Sequence, residues 1–244
     1  MPNAKSAATH PSSAFIQHLF DRLARRYDIF NHLTSFGLAV RWRKAALEPI
    51  KQNMRVLDLG CGTGDLALEA LKKVGPNGEV VGLDFSANML TFARKRYDKL
   101  KSSLRENPRI RFVLKKAEEL PFESEPYDWV VSGFVLRNLY KNIGSILLGV
   151  HRSLKPGGGI SFLDITEPNS RFVKVLWKFY MNTVAAFYGK VLFGKDYPVL
   201  YLTESANRFL KKNEFMTKLA QSGFREVRTK SFMCGIIVLY QAVK

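Results

Sequence analysis

Short apolar runs alternate with stretches of helical periodicity through the middle of the chain. Residues 54–60 form an apolar run that ends in glycine, and 65–74 carry apolar residues at helical spacing. The turn Gly75-Pro76-Asn77-Gly78 separates them from a second apolar run at 80–83, which Asp84 follows. A strongly basic helical stretch covers 88–104, and further strand-like runs lie at 110–114 and 129–132. A helix over 144–154 ends at the breaker cluster Lys155-Pro156-Gly157-Gly158-Gly159, and a fifth strand is expected over 160–164.

Strands bounded by helices in this order predict an α/β fold. It is a Rossmann-like, doubly wound, mostly parallel sheet buried on both faces. Residues 226–230 and 236–243 read as two more strands forming an antiparallel C-terminal edge. Ahead of the sheet, 14–46 is helical in character, with Phe15, Leu19, Leu23 and Tyr27 at helical spacing. Residues 171–193 form a long helical stretch in which Trp177, Phe179, Tyr180, Phe187, Tyr188 and Phe193 are interspersed with Arg171, Lys174, Lys178 and Lys190. The expected organisation is a flexible tail at 1–13 and one domain at 14–244. A helical insertion over about 171–210 precedes the last strands.

Composition narrows the setting. The chain has 244 residues and a formal net charge of +17, which favours polyanionic surfaces such as nucleic acid or anionic lipid. The two cysteines, Cys61 and Cys234, are too few for a disulfide framework and suit a reducing, cytoplasmic setting. No spacing of metal ligands is present, so no metal is expected. Residues 1–13 lack the apolar core of a signal peptide. Lys178 and Lys190 make 171–193 a poor transmembrane span.

The segment Asp58-Leu59-Gly60-Cys61-Gly62-Thr63-Gly64-Asp65 carries the clearest chemistry. A strand running into alternate glycines lets the backbone turn sharply and approach a ligand, and the following helix aims free N–H groups at it. Dinucleotide sites space their glycines G-x-G-x-x-G, whereas here the pattern is G-x-G-x-G with Asp65 in the last place. An acidic residue there suits a cationic ligand, and S-adenosylmethionine carries both a sulfonium and an ammonium. Asp84 lies about 20 positions beyond the loop, where an acid can accept ribose hydroxyls. Phe85, Ser86 and Met89 follow it, with Phe85 placed to cover one face of an adenine. After the third strand, Lys116, Ala117 and Glu118 are expected to close over the adenine, the contact coming from the Ala117 backbone, and Gly133, just after the fourth strand, is a further candidate for cofactor contact.

Four segments together resemble the ubiquinone/menaquinone biosynthesis C-methyltransferase family, over about residues 20–242. They are the stretch from Phe20 through Tyr27-Asp28-Ile29-Phe30-Asn31 to Arg41-Trp42-Arg43, the glycine loop, Phe134-Val135-Leu136-Arg137-Asn138, and Tyr201-Leu202-Thr203-Glu204-Ser205. Departures from the family pattern are Val135 for a usual glycine, Gly133 for a frequent serine, Lys116 for Asn or Asp, and Val199 for a tyrosine. The resemblance implies S-adenosylmethionine-dependent methylation of a ring carbon in a prenylated quinol, either demethylmenaquinol or a ubiquinone precursor. It makes Arg137 and Asn138 the leading catalytic candidates, with Arg137 holding a phenolate or acting through a water. Tyr27, Asp28 and Asn31, at i, i+1, i+4 spacing on one face of the first helix, are expected to cap cofactor and substrate.

A lipophilic substrate fits 171–193, whose apolar residues would line a tunnel or rest on a bilayer with lysines at the headgroups. Peripheral attachment at the cytoplasmic face of a membrane is therefore expected, and a homodimer is compatible with the chain. Two other readings stay open: a methyltransferase for another small hydrophobic molecule, and an RNA methyltransferase. The positive charge favours RNA, but no N-P-P-[YF]-like loop follows the fourth strand.

Overall fold

A computed structural model describes residues 21, 26–102, 109–194 and 211–244. Seven strands form one sheet in the order β3-β2-β1-β4-β5-β7-β6: β1 Arg55–Leu59, β2 Glu79–Asp84, β3 Arg109–Leu114, β4 Tyr127–Gly133, β5 Leu154–Ile165, β6 Arg225–Phe232 and β7 Ile237–Val243. The first five are mutually parallel. Strand β7 inserts antiparallel between β5 and β6. The expected doubly wound sheet with an antiparallel edge is thus the fold observed.

Alternation of side chains across each strand divides the core. Leu57, Leu59, Val81, Val130 and Tyr240 pack toward α5 (Ile143–Ser153) and α8 (Lys212–Gln221). Val56, Val80, Val131 and Leu239 face the other way, toward α2 (Ala39–Ala46), α3 (Asp65–Val74) and α4 (Ala87–Lys101). Both faces are covered, which is why the strands read as unbroken apolar runs. Strand order reverses between β1 and β4, so a crevice opens at their carboxyl ends, where such sheets bind ligands. The glycine loop and residues 133–138 meet there.

The observed elements depart from the expected ones at three places. The expected helical run over 14–46 is broken, within its described part, between α1 (Tyr27–Thr34) and α2, because Phe36 and Gly37 adopt φ of 50° and 74°. Strand β5 begins at Leu154, six residues early, and takes in the breaker cluster. Leu154 pairs with Tyr127, the ladder then jumps to Trp129 opposite Gly159, and Lys155 closes the gap with an ion pair to Asp128 (2.8 Å). The third is the aromatic stretch, which is α6 (Arg171–Tyr180), a π-helical turn (Met181–Ala185) and α7 (Ala186–Phe193). The wider turn shifts the helix face, so a single 3.6-residue period does not describe the stretch. The tail at 1–13, the segment 201–205 and Val199 lie outside the described residues.

Candidate active site

Strand β1 delivers Asp58 to the crevice and then turns through Gly60, Gly62 and Gly64, at φ of 71°, 53° and 90°. The Gly60 and Cys61 N–H groups both donate to the Leu83 carbonyl (2.8 and 2.9 Å), fastening the loop to the end of β2. A Cβ on Gly60 would lie 2.6 Å from Val135 Cγ1, while one on Gly62 would meet nothing within 4 Å. Gly60 thus allows close packing, and Gly62 faces open space. Gly60→Ala should lose about 2–5 kcal/mol, from left-handed strain and overpacking together. Adding Val135→Gly should return the overpacking share. Urea denaturation of the two single variants and the double variant checks this; fully additive losses would count against the contact.

A cavity of about 230 Å³ lies over the loop. Its walls include Asp58, Gly60, Cys61, Gly62, Thr63, Asp65, Asp84, Phe85, Met89, Lys116, Ala117, Glu118, Gly133 and Asn138, so most of the expected binding residues are brought together. Two of them are not. Ser86 is fully buried and caps α4, accepting from the Met89 N–H (3.1 Å), with its hydroxyl turned to Asp21. Gly64 backs onto Ala93, where a Cβ would lie at 3.2 Å.

The carboxylates around the cavity differ in how they are satisfied. Asp84 accepts from the Gly62 N–H (2.8 Å) and the Ser86 N–H (2.9 Å), which locks the two ligand loops together. Burial nevertheless holds its pKa above the ordinary range. Asp65, which the sequence pointed to as the partner of a cation, is already paired with Arg43 and Arg96, each at 2.7 Å. Its charge is neutralised by α2 and α4, so Asp65 is not the uncompensated anion. That group is Asp58. It is 1% exposed, and neither oxygen has a hydrogen-bond partner of ordinary geometry among the described residues. Burial, then repulsion from Asp84 and Asp65, pushes its pKa up to about 8, with the Ala67 backbone N–H offsetting part of the rise. A buried carboxylate with no ion-pair partner among the described residues, eased by the field of Arg43, beside an open glycine favours a positively charged ligand.

Asp28 lies outside the cavity wall. It accepts from Thr63 Oγ1 (2.5 Å) and pairs with Arg96 (2.9 Å), tying α1 to the glycine loop. Burial raises its pKa, and repulsion from Asp65 adds to this. Tyr27 begins α1. Arg137 is 3% exposed and faces away from this cavity; its guanidinium is bonded to Asp164 (2.7 Å) and to the Phe134 carbonyl (2.7 Å). Asp164 also accepts the Arg137 backbone N–H (3.0 Å). The Phe134 carbonyl is thereby held while Phe134 sits at φ 63°, an uncommon conformation for a bulky residue.

A second cavity, about 440 Å³, adjoins the first. Phe30, Trp42, Ile165, Phe172, Leu176, Trp177 and Met181 make it predominantly apolar, and Arg137 lies in its wall. Asn31 and Phe134 line both cavities. Trp42 packs edge-on against Phe134, with centroids 6.4 Å apart. Sequence reasoning missed Phe134, Arg43 and Trp42 as site residues, although all three fall inside the segments that carried the resemblance. Residues 172–181 of the second cavity's wall belong to the stretch expected to line a tunnel, whereas its walls from α1, α2 and residues 233–237 left no local signal.

The doubly wound sheet, the G-x-G-x-G turn, Asp84 and an unpaired Asp58 define an S-adenosylmethionine-dependent methyltransferase. The chain belongs to the ubiE/COQ5 methyltransferase family, whose model matches residues 7–244. It is 32% identical over 231 residues to the demethylmenaquinone methyltransferase of Lactiplantibacillus plantarum, covering 94% of this chain and 95% of that one. The enzyme of the same name from Staphylococcus aureus is also 32% identical, over 94% of this chain and 92% of its own. Among solved structures, a possible histamine N-methyltransferase from Thermotoga maritima aligns with a TM-score of 0.62 at 20% identity, covering 94% of this chain and 99% of that one. An S-adenosylmethionine-dependent methyltransferase from Aquifex aeolicus aligns at 0.58 and 19%, covering 82% and 88%. These two share the fold.

Proposed function

We propose that this chain methylates a ring carbon of a prenylated quinol, with demethylmenaquinol the favoured acceptor. The observation that carries the reading is the apolar second cavity, which shares the wall formed by Asn31 and Phe134 with the cofactor cavity. The two relatives' names, demethylmenaquinone methyltransferase, point to the same ring chemistry.

S-adenosylmethionine supplies an electrophilic methyl group on a sulfonium. Asp58 and Asp84 would hold its cationic end and its ribose, and Phe85 and Met89 would flank the base. The acceptor carbon must be electron-rich, which a hydrogen-bonded or ionised hydroxyl beside it provides. Trp42, Trp177 and Phe30 would enclose the ring and exclude water. Arg137, paired with Asp164, serves as a positioning residue: it fixes the backbone that places Phe134 and Asn138 at the junction.

Incubation with methyl-labelled S-adenosylmethionine and, in parallel, demethylmenaquinol, a demethoxy-type benzoquinol and total RNA tests the reading. Label in demethylmenaquinol is expected. Label in RNA alone would overturn it.

The same reading places the enzyme at a membrane surface. Phe172, Val175, Leu176 and Phe179 follow one face of α6 and are each more than half exposed, and Phe187 and Val191 continue the patch on α7. Arg171, Lys178 and Lys190 border it, and Phe172 and Leu176 also line the second cavity. Apolar side chains ringed by cations suit an anionic bilayer, and a mouth in that patch would admit a lipid from it. Among the described residues no helix is long and apolar enough to cross a membrane. Binding to phosphatidylglycerol vesicles should exceed binding to phosphatidylcholine vesicles and fall with salt. Phe172→Ser with Phe179→Ser should weaken it by about tenfold or more, because two large apolar groups leave the interface. Flotation equal to wild type would remove the patch from membrane attachment.

A further inference from the structure

Asn31 sits at the junction of the two cavities and lines both. The hydroxyls that line the second cavity are committed within the protein. Thr34 donates to the Phe30 carbonyl (2.7 Å), Ser35 Oγ accepts from the Ala39 N–H (3.4 Å), and Tyr180 donates to the Thr34 carbonyl (2.8 Å). Arg137 is held by Asp164 and the Phe134 carbonyl. The Asn31 carboxamide has no hydrogen-bond partner among the described residues. Its position is nevertheless fixed. One turn earlier on α1, Asp28 is bound to Thr63 and to Arg96, so the helix is fastened to the cofactor loop itself. The opposite side of the shared wall is Phe134, whose ring offers no hydrogen bond.

We propose that Asn31 is a catalytic residue that hydrogen-bonds the acceptor's ring hydroxyl through its carboxamide N–H, stabilising negative charge on that oxygen as its proton passes to solvent. The neighbouring carbon would gain the methyl group as the bond from methyl to sulfur breaks, leaving a neutral thioether, and the ring proton would then leave that carbon. This deepens the proposed function and rests on it. A neutral amide suits the task. It donates to a phenolate without placing a second full charge beside Asp58. A donor already aimed at the oxygen also needs no reorganisation as charge develops there. The bond lowers the hydroxyl's pKa, so it sets the pH at which turnover rises. It also turns the ring so that the carbon beside the oxygen faces the cofactor cavity.

The test compares wild type, Asn31→Leu and Asn31→Ser on demethylmenaquinol, with kcat, KM and their pH profiles. Cofactor dissociation constants and melting temperatures are measured alongside. Leucine keeps the volume and removes the donor; serine is smaller and keeps a shorter donor, and it covers the case in which leucine perturbs folding. Asn31→Leu should lower kcat by about 100-fold, the scale of a lost oxyanion donor. Its rise of kcat with pH should shift to more alkaline values, with cofactor affinity within about threefold of wild type. Asn31→Ser should lie between the two. An Asn31→Leu enzyme with kcat within threefold of wild type and an unmoved pH profile would overturn the role. So would parallel losses in cofactor affinity and melting temperature that account for the whole decrease. A wild type that binds cofactor but methylates no quinol would overturn the proposed function itself, and this inference with it.

Discussion

Asp58→Asn is expected to weaken S-adenosylmethionine binding by about 100-fold or more while making the free protein more stable in mild alkali. Both effects have one origin. Asp58 is buried with no ion-pair partner among the described residues, and burial pushes its pKa up to about 8. In the unfolded chain it ionises near the ordinary carboxylate value of 3.8. A pKa raised by folding contributes stability that is fully present below the unfolded value and is lost as pH rises through the folded one. The free wild type should therefore lose stability between about pH 4 and pH 8 on account of this group. Asparagine stays neutral throughout, so the melting temperature of the variant should exceed that of wild type at pH 8 and approach it near pH 5. A cationic ligand reverses the preference, because it stabilises the carboxylate. Binding to wild type below pH 8 should release a proton from Asp58, and binding to Asp58→Asn should not. Calorimetry in two buffers of different ionisation enthalpy reads this directly. Equal proton release by wild type and variant would show that Asp58 is not the cation's seat.

Arg137→Ala should be the most destabilising single change at the site. Asp164 is fully buried, and removal of Arg137 leaves its charge without the 2.7 Å guanidinium partner, at a cost of about 3–5 kcal/mol. Arg137→Met with Asp164→Asn removes both charges and keeps an acceptor for one of the two backbone N–H groups, of residue 137 and Ile165, that donate to separate Asp164 oxygens at 3.0 and 2.7 Å. That double variant should recover part of the stability, read by chemical denaturation, the shortfall being the backbone N–H left without an acceptor. Its turnover should stay well below wild type, because the grip on the Phe134 carbonyl is lost. Full activity in the stable double variant would show that neither Arg137 nor its pairing matters to the reaction. Wild-type stability in Arg137→Ala would show that the Arg137–Asp164 pair does not hold the fold.

Much of the fold was legible because it rests on local patterns. Residues 65–74 read as a helix and are one, since Leu66, Ala67, Ala70, Leu71 and Val74 all turn to the sheet. Strand β1 and the position of Asp84 followed from the glycine spacing. What sequence did not show depends on partners distant along the chain. Asp65 looked like the ligand's anion because nothing nearby reveals that Arg43 and Arg96 converge on it from two other helices. The pairing of Arg137 with Asp164 was not legible either, because Asp164 lies 27 positions away, on the next strand. Ser86 sits beside Asp84 in sequence, yet capping α4 turns it from the ligand. The glycine cluster at 157–159 signalled a break, but pairing with β4 on one side and β7 on the other draws Gly159 into the sheet.

The central claim is that a methyl group passes from the cofactor cavity to a ring carbon held in the second cavity. A demethylmenaquinol deuterated at its open ring position tests it most directly. Carbon methylation must expel that deuteron, whereas methylation of a hydroxyl leaves it in place. With labelled S-adenosylmethionine, one deuteron should leave the ring for each methyl group transferred. Methyl transfer with the ring deuterium retained would contradict the account.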